Sequence, residues 1–212
     1  MVGRYCRLEK INPDHAPVLY AAYREARDWR DWTYLLRDPF ETEAAYISWA
    51  EESATLRDPL HFSVIVDGKP LGTLAHMRID PNNGVIEVGD IRFARALQRT
   101  PAATEAVYLM MRRAFDELGY RRHEWKCDAL HEKSRRAAER FGFTYEGLFR
   151  QAVIYKGRSR DTAWYAVTDK EWPTVREAFQ GWLGAANFTT EGRQRRPLQA
   201  FRNPSPVLPG AM

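Results

Sequence analysis

Residues 61–118 read HFSVIVDGKPLGTLAHMRIDPNNGVIEVGDIRFARALQRTPAATEAVYLMMRRAFDEL, and this stretch decides the fold. Three β-rich runs, His61 to Val66, Leu71 to Ile79 and Val85 to Phe93, are separated by Asp67-Gly68 and Asn82-Asn83-Gly84. Asp-Gly and Asn-Gly supply the positive φ angles that tight hairpins demand, so the runs are expected to form an antiparallel meander. From Pro101 to Leu118 the apolar positions Val107, Met110, Met111, Ala114, Phe115 and Leu118 follow the i, i+3, i+4, i+7 spacing of a helix, with Gly119 as its stop.

Working outward, Tyr5 to Ile11 alternates as a first strand, and Asn12-Pro13-Asp14 turns the chain into a helix through about Ala26. Trp29 to Asp38 is aromatic and irregular. A second helix is expected from Thr42 to about Leu56, because Ala45, Tyr46, Trp49 and Ala50 recur at helical spacing. Beyond Gly119, His123 to Leu130 reads as a strand, Glu132 to Phe141 as a helix ended by Gly142, and Tyr145 to Tyr155 and Thr162 to Val167 as closing strands. A last helix starts at Pro173 and runs to about Leu183. From Thr189 to Met212 Gly, Pro, Arg and Gln dominate without apolar periodicity, which reads as an extended or disordered tail. The expectation is an α/β chain of the α+β kind: one domain over residues 1–186, with a mixed, mostly antiparallel sheet of about seven strands flanked by helices, and a tail over 187–212.

Composition narrows the function classes. The 212 residues carry a net charge of +4 and a sequence pI near 9.1, with arginine pairs at Arg112-Arg113, Arg121-Arg122, Arg135-Arg136 and Arg195-Arg196 that suit anionic ligands. Cys6 and Cys127 fit neither a metal spacing nor a disulfide scaffold, and the five histidines are scattered. No signal-peptide core opens the sequence and no apolar run reaches the ~20 residues of a membrane span. A soluble cytoplasmic protein without a metal or a membrane partner is expected. The arginine pairs lack any helix-turn-helix, zinc or RNA-recognition signature, so nucleic acid ranks as a distant partner.

Three stretches together resemble the GNAT superfamily of acetyl-CoA-dependent N-acetyltransferases, in particular its RimJ/RimL type. Gln98-Arg99-Thr100-Pro101-Ala102-Ala103, between the third meander strand and the long helix, stands where the family writes Gln/Arg-Xaa-Xaa-Gly-Xaa-Gly/Ala. Ser134, Gly142 and Phe143 match an Asn-Xaa-Xaa-Ser pattern closed by Gly-Phe, with His131 at the Asn position. Tyr145-Glu146-Gly147 and Gly157-Arg158-Ser159-Arg160-Asp161 resemble the family's last strand pair. The resemblance covers about Tyr5 to Trp172. It implies an acetyltransferase with acetyl-CoA as co-substrate, an acceptor that is a small amine or a peptide or protein N-terminus, and room for a homodimer.

The chemistry places demands on residues. A helix N-terminus binds phosphate through its outward N–H groups and positive dipole end, and the loop from Ala94 to Ala103 sits there. Pro101 removes one donor, leaving Ala102, Ala103, the Thr100 hydroxyl and Arg99 to compensate. The resemblance adds Phe93, Ala94, Gln98, Thr104, His131, Ser134 and Arg136 to the expected acetyl-CoA contacts. An alkyl amine with a pKa near ~10 needs a base. Glu87 is the first candidate, mid-strand and sharing a side with Val85, Ile91 and Phe93 on an ideal strand, a half-buried setting that would raise its pKa. Asp90 is the rival, because Gly89 hints at a bulge that would re-aim the residues after it. Backbone N–H groups at Arg92, Phe93 and Ala94 could hold the thioester oxygen.

Ser134 is the natural proton donor to the leaving sulfur, since Ala138 stands where many superfamily members place a tyrosine. Val153 occupies the position where the RimJ/RimL resemblance expects an acid. Trp29, Trp32, Tyr34, Tyr155 and Trp164 could line an amine groove. Pro101, Ala138 and Val153 also suggest an alternative, a non-catalytic CoA-binding protein of the same fold.

Overall fold

The computed structural model describes residues 1–26 and 28–202, apart from the Trp29 side chain. The meander forms as its turns require: β2 (Leu60–Val66), β3 (Lys69–Asp80) and β4 (Val85–Phe93) pair antiparallel, with Asp67, Gly68 and Gly84 at positive φ. β1 (Arg7–Lys10) adds to the β2 edge. On the other side β5 (Arg122–Asp128) runs parallel to β4, and the hairpin of β6 (Thr144–Tyr155) and β7 (Arg158–Thr168) completes the order β1-β2-β3-β4-β5-β7-β6. The seven-stranded mixed sheet matches the expected architecture, with β7 beginning four residues earlier than its aromatic run suggests. Lys156 and Gly157 form the tight turn between β6 and β7, both at positive φ.

Helices cover both faces. α1 (Ala16–Arg24) and α2 (Glu43–Thr55) bury Leu19, Tyr23, Tyr46 and Ala50 in one cluster, and Thr42 caps α2 by accepting from the Ala45 N–H. On the opposite face α3 (Pro101–Arg112) and α5 (Trp172–Leu183) enclose the larger core, where Leu109, Met110 and Met111 are fully buried. Burying such a side chain contributes about 1.5–3 kcal/mol. The expected regular helix to Leu118 is corrected at its end: Arg113–Glu117 is a π-helical turn, and Leu118 lies 45% exposed outside the core. α4 (Glu132–Phe141) follows β5 and ends, as expected, at a left-handed Gly142.

The extended tail is also corrected. Asn187, 4% exposed, donates to the Trp182 and Arg196 carbonyls and accepts from the Arg196 N–H. Phe188 bridges to Gln194, Leu198 is buried in the main core, and Phe201 of the short α6 (Gln199–Arg202) lies against Gly181. Three isolated anchors, Asn187, Leu198 and Phe201, hold this segment, so no periodicity announces it. Residues 203–212 lie outside the described residues. Cys6 and Cys127 are free and buried. Among the described residues no helix is long and apolar enough to cross a membrane, and no group of His, Cys, Asp and Glu could hold a metal ion.

Candidate active site

β4 and β5 share register only at Val85↔Arg122, Ile86↔His123 and Glu87↔Glu124. Beyond Glu87 and Glu124 their ladder ends. Three residues after Glu87 β4 carries a bulge: Ala75 pairs with Gly89 but Thr73 with Arg92, and Asp90 adopts φ 46°. A bulge bends and twists the strand that bears it. A Cβ at Gly89 would stand 2.5 Å from Met77 Sδ, so any side chain there would displace the Met77 thioether.

The bulge reverses the parity of β4. Before it, Val88 faces the α3 core while Glu87 turns away; after it, Ile91 and Phe93 pack toward the α3 core while Arg92 turns away. The ideal-strand grouping of Glu87 with Ile91 and Phe93 is therefore corrected. Glu87, Asp90 and Arg92 share the face of α1 and α2, and the cleft opens on the other face.

That cleft encloses about 780 Å³. Ile91 and Phe93 of β4, residues 98–101 of the loop, Ala103, Thr104 and Val107 of α3, Trp125 of β5, and His131, Ser134, Ala137 and Arg140 of α4 line it. Of the expected acetyl-CoA contacts, Phe93, Gln98, Arg99, Thr100, Ala103, Thr104, His131 and Ser134 meet here. Three do not. Ala94 is buried with its N–H bonded to the Leu71 carbonyl, Ala102 is buried and lines a separate smaller cavity, and exposed Arg136 pairs with Glu132.

The loop's donors are also partly spent: Thr100 accepts from the Ala103 N–H at 3.2 Å and donates to the Leu97 carbonyl at 2.7 Å. This N-cap satisfies the helix terminus internally, so the expectation that Thr100 and Ala103 offer free donors is corrected. Arg99, exposed at φ 63°, keeps its guanidinium free of carboxylate partners among the described residues. Sequence reasoning missed Arg140, Trp182, Phe188 and the turn Gly192–Gln194, which form the outer wall. The arginine content was the only signal.

Within the cleft the Trp125 indole N–H donates to Ser134 Oγ at 3.0 Å. The Ser134 oxygen thus accepts from the indole, and its rotatable proton is shared with the neighbouring Cys127 sulfur, whose thiol it hydrogen-bonds. Ala138 is fully buried in the core and cannot reach the cleft. Tyr34 stacks on His131, centroids 4.3 Å apart, and its hydroxyl donates to the Leu130 carbonyl.

The opposite face is charged. Glu87, 2% exposed, accepts from Arg78 at 2.7 Å and stands 3.0 Å from Lys126 Nζ. Lys126 also meets Glu124 at 2.6 Å and sits 3.9 Å over the Trp164 ring. Burial raises the Glu87 pKa above the ordinary value, and the Lys126 and Arg78 charges reduce that shift without cancelling it. Asp90 behaves oppositely. Burial alone would raise it, yet the hydrogen bond to His61 (2.9 Å) and the Arg37 charge (2.7 Å) hold it below the usual range. Arg92 is sandwiched between Trp32 and Tyr23, 3.2 and 3.7 Å from their centroids, and burial lowers it to about 10. Tyr155 donates to Asp128 at 2.8 Å nearby on β5. Of the five aromatics expected along an amine groove, Trp32, Tyr34, Tyr155 and Trp164 are engaged as described, and the Trp29 side chain lies outside the described residues.

Residues 6–144 match a family model described as an acetyltransferase (GNAT) domain. A GCN5-related N-acetyltransferase from Brucella melitensis, a crystal structure, is 48% identical with a TM-score of 0.91, covering 95% of this chain and 92% of that one. The putative ribosomal N-acetyltransferase YdaF of Bacillus subtilis (strain 168) is 26% identical over 145 residues, 66% of this chain and 78% of that protein. Two structures of a ribosomal L7/L12 acetyltransferase, one from Salmonella typhimurium and one bound to coenzyme A, are 19% and 20% identical, both with a TM-score of 0.69. They cover 78% and 80% of this chain and 96% and 97% of theirs, and show a shared fold.

Proposed function

This chain belongs to the GNAT acetyltransferase family and is an N-acetyltransferase, and from that premise we propose that it moves the acetyl group of acetyl-CoA onto the N-terminal amine of a peptide or protein. One observation carries the reading: where β4 and β5 part, a carboxylate with a raised pKa lies on one face and the indole-bonded Ser134 hydroxyl lines the cleft on the other. The cleft fits a long thioester with an anionic end, since its floor is apolar and its rim carries Arg99, Lys133 and Arg140.

In the proposed reaction Glu87 takes the proton of the incoming ammonium and the free amine attacks the thioester carbon. The C–N bond forms and the C–S bond breaks; the attacking nitrogen's second proton passes to the departing sulfur, which leaves as the CoA thiol, and Ser134 hydrogen-bonds that sulfur as it departs. Asp90 is assigned a bracing role instead of the base, because its carboxylate is already held in the ionised form by Arg37 and His61. The acceptor class rests on the names of the ribosomal relatives; with Val153 where an acid is expected, no ribosomal protein is singled out.

The test is thiol release from acetyl-CoA in the presence of a peptide panel, with product mass spectrometry locating the acetyl group. N-terminal acetylation supports the reading. Acetyl-CoA binding without transfer to any amine would leave the non-catalytic alternative in its place.

A further inference from the structure

The C-terminal segment brings Arg193 to the cleft that Arg140 of α4 also lines. Arg140, in the last turn of α4, lies over the Trp182 ring (5.3 Å) and donates both Nη groups to the Thr104 hydroxyl on α3 at 3.2 and 3.1 Å. Those bonds use two of its five N–H donors. Among the described residues no carboxylate lies within ion-pair distance of Arg140, Arg193 or Arg202. Arg140 and Arg202 are close enough to repel, and Arg202 is held by the Glu139 carbonyl instead. Trp182, 3% exposed and lining the same cleft, carries a buried indole N–H with no partner.

Arg193 reaches this corner because its backbone is pinned. Its N–H donates to Thr189 Oγ1, its carbonyl accepts from the Thr189 N–H, and Gly192 at φ 77° closes the turn. Asn187 and Leu198 hold the turn's two ends to the body. The strap thus adds an arginine without a carboxylate partner to a cleft that Arg140 already lines, and two such cations in one cleft favour an anion there.

We infer that Arg193 of the C-terminal strap and Arg140 of α4 form a phosphate-binding site that holds the phosphorylated end of acetyl-CoA across the cleft from Arg99. The inference rests on the proposed use of acetyl-CoA in this cleft. Charge-assisted bonds to phosphate are the stronger kind, and loss of one by charge reversal should weaken binding at least about tenfold. The strap is thus part of the substrate site. Without it the cleft would lack its outer wall, Phe188 and Gly192–Gln194.

The test is calorimetric titration of the full chain with CoA and with 3′-dephospho-CoA. Arg193 is exposed, so Arg193→Glu leaves folding intact even where Arg140→Gln, which loses packing on Trp182, does not. Arg193→Glu should weaken CoA tenfold or more while Arg195→Glu, outside the cleft, does not. If wild type discriminates against 3′-dephospho-CoA and Arg193→Glu abolishes that discrimination, the site takes the 3′-phosphate. If Arg193→Glu weakens both ligands equally, the site takes the diphosphate. Equal CoA affinity of wild type and Arg193→Glu overturns the inference but leaves the enzyme reading standing. A wild-type protein that binds no CoA overturns both.

Discussion

The two faces of the sheet beside the β4–β5 parting are built from alternate residues of the same strands, yet they solve opposite problems. On the α3 face His76 and His123 stack edge-on, 5.7 Å apart, inside a box of Phe62, Phe115 and Phe143. Both are buried, and neither nitrogen of His123 nor Nε2 of His76 has a partner among the described residues. Burial keeps both rings neutral, His76 pushed down to about 4 and His123 well below its ordinary value. On the other face Glu87, Glu124 and His61 are as deeply buried but paired, with the partly buried Lys126, Asp90 and Arg37 and the exposed Arg78 as partners, and Glu87 keeps a raised pKa despite two cations. Titratable groups in one face serve packing, and in the other they are charge-paired, the arrangement on which the proposed role of Glu87 rests. Burial alone therefore does not single out Glu87; burial together with a matched charge at the strand parting is what supports its proposed role.

The comparison breaks first at Glu87. Glu87→Gln is isosteric and should lower kcat by about a hundredfold or more, within the range for loss of a general base, while the dissociation constant for CoA changes little. An unchanged kcat would pass the proton to another group. Acid should undo the opposite face. Because the folded histidines have depressed pKa values, the unfolded chain binds protons first as pH falls below 6.5, and stability drops by about 1.4 kcal/mol per unit and histidine. For His76 the loss reaches about 3 kcal/mol near its folded value of about 4. Urea midpoints between pH 7 and 4.5 measure it, and His76→Leu should flatten the slope.

Asp90→Asn sharpens the distinction between base and brace. It leaves Arg37 and Arg92 without their common anion and should cost about 1–3 kcal/mol of stability, with a smaller loss of kcat than Glu87→Gln. The smallest effect belongs to Pro101→Gly. Pro101 sits at the first turn of α3 behind the Thr100 cap, so freeing the unfolded chain should lower stability by up to about 1 kcal/mol. Thermal melts would register this as a shift of ~2–4 °C.

Much of this was legible in the sequence because it depends on local chemistry. The Asp-Gly and Asn-Gly turns gave the meander, Gly142 ended α4, and Gly89 marked the bulge. What the bulge did to the parity of Ile91, Phe93 and Arg92 depended on the β3 register and could not be read locally. The Thr100 cap was visible, but not that it would consume the Ala103 donor. The strap was illegible because Asn187, Leu198 and Phe201 act through distant partners. Lys126 and Arg78 were missed as partners of Glu87 for the same reason: one crosses from a parallel neighbour and the other from a positive-φ bend in β3.

The central claim is that Glu87 accepts the proton of the acceptor amine, and the pH dependence of kcat/KM for wild type and Glu87→Gln tests it most directly. With saturating acetyl-CoA, wild type should show an acidic limb of unit slope whose pKa lies above that of an ordinary glutamate, in keeping with the raised value of the buried carboxyl. In Glu87→Gln that limb should vanish, leaving only the ionisation of the amine. The same acidic limb in both proteins would contradict the account and place the proton acceptor elsewhere on the charged face.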